Sequence, residues 1–561
     1  MRIHCYVAVG LMALLSSAAL AADGPLKIGV FATAGAVNRH LNTPEGRQKV
    51  LTTLKGLRVS KFFLEGNRAD EYVPVNLLRE VRDDFASKGI QTSGAIGPLP
   101  GQQFGVHSPQ FHTRSLDFRA KKSQQDIADV FRSNAAVFDE MIVDDFYCFN
   151  EGTPEYRLDL LVRLIDSIML KPARAVRPSF RVIIKLPMWY DRFHLFGYDP
   201  AGMTAASDII WVGTESRNPD TRRFDAPYGY VMPTEGYINY RWHAAVAGAK
   251  TGGAWFDSID CTAQNYLDQA YQSVLAGARE LTLFNLDSLM KAHPGQALLE
   301  AALPNLTELA EKVRGRPVYG ISFYKPSGTD CDENYYLMDY LSMLGLPIVP
   351  VAKFPSGSPV IMLGSHASGE RDLLATMQRE LARGSTLILT PALLRRIDAE
   401  AATMAGVSVS PQVQLGVGDG GLEVDLSLAA TTAEKRVSIP AQGRQVPVLT
   451  MRKAGGGRIL VLNVRTFRKE DIGGRAQGFK EYWQWLMPPY RLGLPEIDQP
   501  LIDALRRDLL EPLKTSLVAP TKVAYYLLGD AKVLYNFRPE PVEVKLDGNV
   551  IQLPANGLVW R

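Results

Sequence analysis

The chain has 561 residues, of which 46% are hydrophobic and 22% charged, and its formal net charge is +3. This is the composition of a globular protein long enough for about two to four domains of roughly 150 residues each. A charge so close to neutral, without a dense run of Lys and Arg or a long acidic tail, gives no electrostatic basis for binding nucleic acid.

The first 21 residues predict a secretory signal peptide. Arg2 and His4 precede an apolar stretch at residues 6–15, and small residues then lead to Ala19, Leu20 and Ala21. A short basic start, an apolar core too short to cross a bilayer and an A-x-A site are typical of exported proteins, although a membrane anchor is the alternative. We therefore expect a periplasmic or extracellular protein without a membrane segment after cleavage.

Residues 22–314 alternate short apolar runs with longer amphipathic segments, which predicts a parallel sheet with crossover helices. Eight such units in about 290 residues match the size of a (β/α)₈ TIM barrel, and a doubly wound sheet is the alternative. The predicted strands are residues 27–31, 61–64, 90–96, 140–143, 181–185, 208–212, 253–256 and 281–284.

Two further domains are predicted after the barrel. Short strands and helices alternate again over residues 315–495, with the rhythm of a flavodoxin-like α/β domain. Residues 496–561 predict a helix followed by a small C-terminal β-domain, a meander whose turns are Gly529-Asp530 and Asp547-Gly548.

The stretch from Met141 to Asn150 joins a buried strand to a pair of carboxylates, Asp144 and Asp145. Charge at the end of a buried strand is costly unless it is paired or used. In α/β folds, ligands bind at the carboxyl ends of the strands. The two aspartates are therefore the first candidates for catalytic groups, and the alternative is a turn cap beside an arginine-paired carboxylate.

Polar and aromatic side chains follow the other predicted strands as well, and the carboxyl ends of barrel strands share one rim. The candidates are Glu65 and Arg68 after the second strand, Tyr147 after the fourth, Lys185 and Trp189 at the fifth, Glu215, Glu235 and Tyr237 after the sixth, and Trp255 and Asp257 at the seventh.

Carboxylates crowded at one rim raise one another's pKa, which supplies a protonated acid beside an ionised base. Glycosidic hydrolysis requires such a pair, and aromatic faces can stack on sugar rings. The sequence therefore predicts a glycoside hydrolase acting on an oligo- or polysaccharide. Asp145 or Asp144 with Glu215 is the first choice of pair and Asp257 the second. The remaining candidates are predicted to bind carbohydrate.

Two other functions fit the same residues. If the acids pair with Arg68, Lys185, Arg192 and Arg217, the rim is salt-bridged and the protein binds carbohydrate without cleaving it. If Lys185 is desolvated, it could serve as the Schiff-base nucleophile of a lyase or aldolase.

No cofactor or metal is predicted, because neither a His-x-x-x-His nor an Asp-x-Asp-x-Asp spacing occurs. Cys148 and Cys261 can form a disulfide only if their Cα atoms come within roughly 6 Å.

The order of barrel, flavodoxin-like domain and β-domain resembles the three-domain bacterial β-galactosidases. Residues 335–349, 360–365 and 381–390 are similar in rhythm to the trimerisation module of that family, which is shaped like a glutamine amidotransferase. The resemblance implies a homo-oligomer formed through residues 315–495. The resemblance does not imply amidotransferase activity, because Cys331 lies in a Gly-Thr-Asp-Cys-Asp loop rather than in a nucleophile elbow.

The barrel departs from that family at the expected catalytic positions. The resemblance implies an Asn-Glu acid/base at strand four and a Glu nucleophile at strand seven, where this chain has Asp144-Asp145 and Asp257. An Asp on strand four with an acid on strand six looks more like the α-galactosidase type of barrel. The anomeric specificity is therefore open.

Overall fold

The structure is a computed structural model of the 561-residue chain. It describes residues 25–97, 101–107, 116–145, 154–217, 232–418, 422–466 and 497–561. The predicted signal peptide, Tyr147 and Cys148 lie outside the described residues. Within the described ranges, no helix has the length and apolarity needed to cross a membrane.

Eight parallel strands close into a barrel, in which each strand pairs with the next in sequence and the last pairs with the first. The strands are short apolar runs because both of their faces are covered. The prediction of a closed barrel is confirmed. The strands are β1 (Lys27–Ala32), β2 (Lys61–Glu65), β3 (Gln91–Ile96), β4 (Glu140–Val143), β5 (Arg181–Leu186), β6 (Ile209–Gly213), β7 (Thr251–Asp257) and β8 (Glu280–Phe284).

Amphipathic helices cover the outside of the barrel. In the helix Val75–Ser87, Leu78, Val81 and Phe85 recur at helical spacing and are buried against the sheet. The α-helices of this part of the chain are Ala34–Ala36, Pro44–Thr53, Val75–Ser87, Lys121–Ala135, Pro154–Leu164, Lys171–Val176, Phe193–Phe196, Pro200–Ala206, Glu235–Ala247, Ala263–Leu275, Leu286–Met290 and Pro294–Val313, with π-helical turns at Val37–Leu41 and Ile165–Leu170.

The barrel lumen is filled by side chains, so it is not a channel. Phe31, Phe63, Trp211 and Trp255 are the largest members of the buried cluster at its centre. Trp211 donates to the hydroxyl of Thr282 at 2.9 Å across the lumen. A filled lumen confines substrate chemistry to the carboxyl-end rim of the strands.

The second domain contains a seven-stranded sheet. Its strands are β10 (Ile321–Tyr324), β11 (Ile348–Val351), β12 (Val360–Leu363), β13 (Thr386–Leu389), β14 (Glu434–Ala441), β15 (Arg444–Ala454) and β16 (Gly457–Leu462), preceded in the chain by β9 (Val318–Tyr319). The spatial order is β11-β10-β12-β13-β16-β15-β14, in which the first five strands are parallel. This is the flavodoxin-like order, as predicted. The α-helices of this domain are Leu337–Met343, Leu373–Ala382, Pro391–Leu394 and Ala399–Ala405.

The last domain begins with the helix Gln499–Leu510, and its strands are β17 (Leu517–Val518), β18 (Val523–Leu528), β19 (Ala531–Asn536), β20 (Val542–Leu546), β21 (Asn549–Leu553) and β22 (Leu558–Trp560). The prediction of a single meander is wrong, because the strands divide into the sheets β9-β18-β19-β22 and β17-β20-β21. Pro539 and Pro541 lie between β19 and β20, where they cannot donate ladder hydrogen bonds and interrupt the pairing.

Both later domains pack directly on the barrel. The second domain covers the loops after β5 and β6, where Tyr190 donates to Asp339 at 2.6 Å and Thr234 donates to the Asp339 carbonyl at 2.8 Å. The last domain contacts the helix Ala263–Leu275. There the hydroxyl of Tyr526 donates a hydrogen bond to Oε1 of Gln272 at 2.6 Å. The second domain thus forms one wall beside the rim.

Candidate active site

Lys185 is the centre of a cluster of charges at the rim. Its ammonium lies 2.8 Å from Oδ1 of Asp145, 2.8 Å from Oε1 of Glu215 and 3.6 Å from Oδ1 of Asp144. The lysine ends β5, while its partners follow β4 and β6, the strands on either side of it. The structure therefore brings together the first-choice carboxylates that the sequence predicted.

Arg68 extends the cluster toward β2. Its Nε donates to Oε2 of Glu65 at 2.6 Å, and its Nη2 donates to Oδ2 of Asp144 at 3.2 Å. Oε2 of Glu65 also accepts the backbone N–H of Ala34 at 3.3 Å. Asp144 consequently lies between two cations, with one oxygen facing Arg68 and the other facing Lys185.

Asp257, at the end of β7, is held by a third cation. Arg217 donates through Nη2 to Oδ2 of Asp257, and the backbone N–H of Ile259 donates to Oδ1 at 2.9 Å. Both side chains are buried. Arg217 was not among the predicted catalytic or binding residues, but it was one of the four cations of the salt-bridged alternative, and its pairing with Asp257 agrees with that alternative.

The charges in this cluster do not balance. Five carboxylates (Glu65, Asp144, Asp145, Glu215 and Asp257) face three cations (Arg68, Lys185 and Arg217). Among the described residues, full ionisation would therefore leave two excess negative charges at this rim. Such an excess favours retention of a proton on at least one carboxyl group.

Burial and crowding raise the pKa of several of these acids. Burial, together with the charge of Asp145, raises the pKa of Asp144 to about 7. Burial raises the pKa of Glu215, although Lys185 acts in the opposite direction, and burial also raises the pKa of Asp257. Groups that hold protons near neutral pH are suited to general acid catalysis.

Asp145 is the more accessible member of the aspartate pair. Its side chain is 27% exposed, against 8% for Asp144. Its backbone is in the left-handed region at φ 48°, a conformation that aspartate tolerates better than most residues. A strained position of this kind directs the side chain and is frequent at functional sites.

Comparison with protein families identifies the barrel. A family model described as probable glycosyl hydrolase, catalytic domain, matches residues 16–299. The chain belongs to this family. The match covers all eight barrel strands, and the barrel is a glycoside hydrolase catalytic domain. A second model, the second domain of the uncharacterized protein SSO3021, matches residues 316–414.

Individual proteins extend the comparison beyond the barrel. The chain is 22% identical to the uncharacterized protein SSO3021 of Saccharolobus solfataricus over 417 residues, which is 66% of this chain and 67% of that protein. It is similar in structure to Gan42B, a GH42 β-galactosidase from G. stearothermophilus, with a TM-score of 0.63 and 10% identity over 97% of this chain and 99% of that one.

A third similar structure is alpha-L-fucosidase isoenzyme 2 from Paenibacillus thiaminolyticus, with a TM-score of 0.60 and 10% identity over 96% of this chain and 98% of that one. The hydrolase therefore shares its fold with enzymes described as acting on different sugars. The predicted resemblance to three-domain β-galactosidases is confirmed for the fold.

Three of the four aromatic candidates of the hydrolase lie in the described part of the chain, and these three are buried. Trp189 is 5% exposed, Trp255 is 2% exposed and Tyr237 is 1% exposed. Trp255 packs against Phe31 in the lumen, and Tyr237 contacts Tyr526 of the last domain. These three rings do not present the exposed faces expected of a platform for sugar. The lumen covers Trp255, and the last domain covers Tyr237.

Glu235 is also buried, at the start of the helix Glu235–Ala247. Burial and the nearby Asp339 of the second domain raise its pKa well above the ordinary value, and Glu215 contributes in the same direction. The structure therefore places Glu235 where the second domain meets the barrel, close enough to Glu215 for the two charges to interact.

The environment of Lys185 is the opposite of that required by the Schiff-base hypothesis. Burial alone would lower the pKa of Lys185, but Asp145, Glu215 and Asp144 raise it above the ordinary value. A Schiff-base lysine must lose its proton at working pH, and a lysine held by three carboxylates retains it. The lyase or aldolase interpretation is therefore wrong.

The salt-bridged interpretation accounts for only part of the rim. Each of the five carboxylates does contact Arg68, Lys185 or Arg217, as that interpretation predicts. The excess of two carboxylates over cations is left unexplained. Arg192, the fourth cation it invoked, has no ion pair with any described residue. The disulfide prediction is untested, because Cys148 lies outside the described residues, and Cys261 is a free thiol.

Proposed function

We propose that this glycoside hydrolase cleaves an oligo- or polysaccharide with Asp145 and Glu215 as its catalytic carboxylates. The observation that carries the proposal is their shared contact with the Lys185 ammonium, which brings the two acids to one point at the rim. The N-terminal pattern of Arg2 and His4 followed by an apolar stretch supports export. The resemblance to the β-galactosidases supports a homo-oligomer formed through residues 315–495.

The separation of the two acids supports a retaining reaction. Oδ1 of Asp145 and Oε1 of Glu215 each lie 2.8 Å from the same nitrogen, so these oxygens are separated by less than twice that distance. Retaining glycosidases hold their carboxyl groups about 5–5.5 Å apart, whereas inverting enzymes need about 6.5–9.5 Å to admit a water.

The surroundings of each acid suggest its role. Glu215 is buried with a raised pKa, and its Oε2 has no hydrogen-bond partner in the described part of the chain. That oxygen is available to protonate the leaving oxygen of the glycosidic bond. Asp145 is more exposed and suited to attack the anomeric carbon, which forms a glycosyl-enzyme ester.

In the second half of the reaction, Glu215 accepts a proton from water as that water attacks the anomeric carbon and releases Asp145. Lys185 holds both acids in place and stabilises whichever of the two is ionised at each step, Asp145 before the ester forms and Glu215 after it. The other acids are less free to react, since both oxygens of Asp257 and both oxygens of Asp144 already contact neighbouring groups.

The test is a screen of the purified protein on chromogenic α- and β-glycosides and on polysaccharides, with the variants Asp145→Asn, Glu215→Gln and Asp257→Asn. We expect kcat/KM to fall by about 10²-fold or more in the first two and by less in the third. Azide should restore turnover to Asp145→Asn by replacing its nucleophile. Asp268→Asn is the matched control, because Asp268 is a buried carboxyl that contacts the last domain through Tyr535.

The proposal fails if Asp145→Asn and Glu215→Gln both keep their activity while Asp257→Asn loses it. In that case the catalytic pair would span strands four and seven, as the resemblance to the β-galactosidases implies. The anomer released by the wild-type enzyme, followed by NMR, separately tests retention.

A further inference from the structure

Arg192 is a buried cation without a hydrogen-bond acceptor for its guanidinium among the residues that the structure describes. It follows the loop after β5, and its side chain is fully enclosed at 0% exposure. Its Nε, Nη1 and Nη2 all lack a hydrogen-bond partner among the described residues. Burial lowers the pKa of Arg192, as expected for an uncompensated charge. A guanidinium remains charged in proteins, so its five donors normally require acceptors.

Arg506, an equally buried arginine, shows how such a group is normally accommodated. It is 1% exposed, and it donates to the carbonyl of Leu344 at 2.7 Å, to Asp503 at 2.9 Å and to the carbonyl of Ala519. Every other buried arginine in the described ranges also has an ion pair with a carboxylate. Among the buried arginines that the structure describes, the lack of acceptors is therefore particular to Arg192.

The carboxylate nearest in sequence, Asp191, is already fully used. Its Oδ1 lies 2.9 Å from Nε2 of His366 and 3.4 Å from the ammonium of Lys325, and its Oδ2 accepts the backbone N–H of Tyr336 at 2.7 Å. Burial also keeps the thiol of Cys331 protonated by raising its pKa. Both oxygens of Asp191 are therefore occupied, and neither accepts a hydrogen bond from Arg192.

The same cluster is also the geometric candidate for a metal ion. In the described part of the chain, Asp191, Cys331 and His366 place ligand atoms within 4.8 Å of one another. A cation there would face the ammonium of Lys325 and the guanidinium of Arg192. His366 would also have to give up its hydrogen bond to Asp191. The charge of the surroundings therefore favours an anion over a metal.

We propose that Arg192 binds a small oxyanion at the contact between the barrel and the second domain. The planar guanidinium matches the two oxygens of a carboxylate, sulfate or phosphate group. Lys325 of the second domain lies in the same cluster through Asp191, and the ring of Tyr335 lies 5.9 Å from the guanidinium. Because Arg192 belongs to the barrel and Tyr335 to the second domain, the anion stabilises their contact.

The experiment replaces sodium chloride by sodium sulfate stepwise at constant ionic strength and follows the Tm and the heat of binding. A ligand that binds only the folded state raises the Tm along a saturating curve, whereas general salting effects do not saturate. We expect saturation in the wild type and an affinity lower by about tenfold or more in Arg192→Met, since charge-assisted hydrogen bonds are lost. Arg192→Lys keeps the positive charge but lacks the paired N–H donors of the guanidinium, so its affinity for sulfate should be intermediate.

Arg47→Met is the matched control, because Arg47 is a buried arginine already paired with Asp84 at 3.1 Å, and this variant should keep the sulfate response. A second arm replaces sulfate by glucuronic acid. Stronger binding of the sugar acid would identify the anion as a substituent of a carbohydrate, and stronger binding of sulfate would identify a free ion.

Without the anion, Arg192→Met should be at least as stable as the wild type, because an uncompensated buried charge is removed. The proposal is overturned if the wild type and Arg192→Met respond identically to both anions. It is equally overturned if the purified protein binds zinc with loss of binding in His366→Ala.

Discussion

Replacement of Asp144 by Asn should change how the stability of the protein depends on pH. Asp144 is 6% exposed, and burial together with the charge of Asp145 raises its pKa from an ordinary value of 3.8 to about 7. Between these two values the folded protein retains a proton that the unfolded chain releases. Asn has no proton to release over this range of pH, so the stability of the variant lacks the pH dependence that Asp144 causes in the wild type.

The sign follows from the raised pKa. The contribution of Asp144 to stability is fully present below about pH 4 and is lost as the pH rises through about 7. At about 1.36 kcal/mol per pKa unit, the difference between 3.8 and about 7 corresponds to roughly 4 kcal/mol. The stability of Asp144→Asn relative to the wild type should therefore increase by up to roughly 4 kcal/mol between about pH 4 and about pH 8.

Urea unfolding at about pH 4, 6 and 8, followed by tryptophan fluorescence, measures this difference. Trp211 and Trp255 lie in the lumen, so the signal reports on the barrel. Asp129→Asn, a change in an exposed aspartate of the helix Lys121–Ala135, is the control for the loss of a surface carboxylate. If the Asp144→Asn difference does not vary with pH, the inference of a retained proton is refuted.

Two further changes test the rim and the lumen. Lys185→Met should lower kcat/KM by about 10²-fold or more. It should also move the basic limb of the pH profile upward, because the general acid Glu215 loses the ammonium that lowers its pKa in the wild type; an unmoved basic limb would contradict this. Gly253→Ala should destabilise the barrel by about 1–3 kcal/mol, because a Cβ there would lie 2.5 Å from Trp211. Gly369→Ala, where nothing lies within 4 Å, is its control in urea unfolding followed by circular dichroism.

The barrel could be predicted because each of its strands is a short apolar run that is recognisable in the local sequence. β4 lies at the predicted residues 140–143, where an apolar run ends abruptly in two carboxylates. β7 extends beyond the predicted residues 253–256 to Thr251–Asp257, because Gly252 and Gly253 have no side chain to signal a strand. Those glycines leave room for the Trp211 ring, a non-local reason that is absent from the local pattern.

The rim residues could be located, but not their pairing or their exposure. The position of a residue after a strand predicts which rim it joins, and this placed Asp145, Lys185 and Glu215 together. The burial of Tyr237 depends on Tyr526, which lies almost three hundred residues later in the chain. Contacts of this kind arise only when the later domains pack on the barrel, so no local pattern could reveal them.

The position of Lys185 has a consequence for how substrate is oriented. The resemblance to the β-galactosidases implies a catalytic axis between strands four and seven, but Asp257 on strand seven is held on both oxygens. Under the proposed function, the axis instead joins strands four and six, above the strand that carries Lys185. The sugar ring would then lie over the ammonium, which can donate to a hydroxyl while it stabilises the ionised acids. Lys185 forms the ion pairs that make the rim resemble a salt-bridge network. In this arrangement the same lysine fixes the distance between Asp145 and Glu215 that the reaction needs.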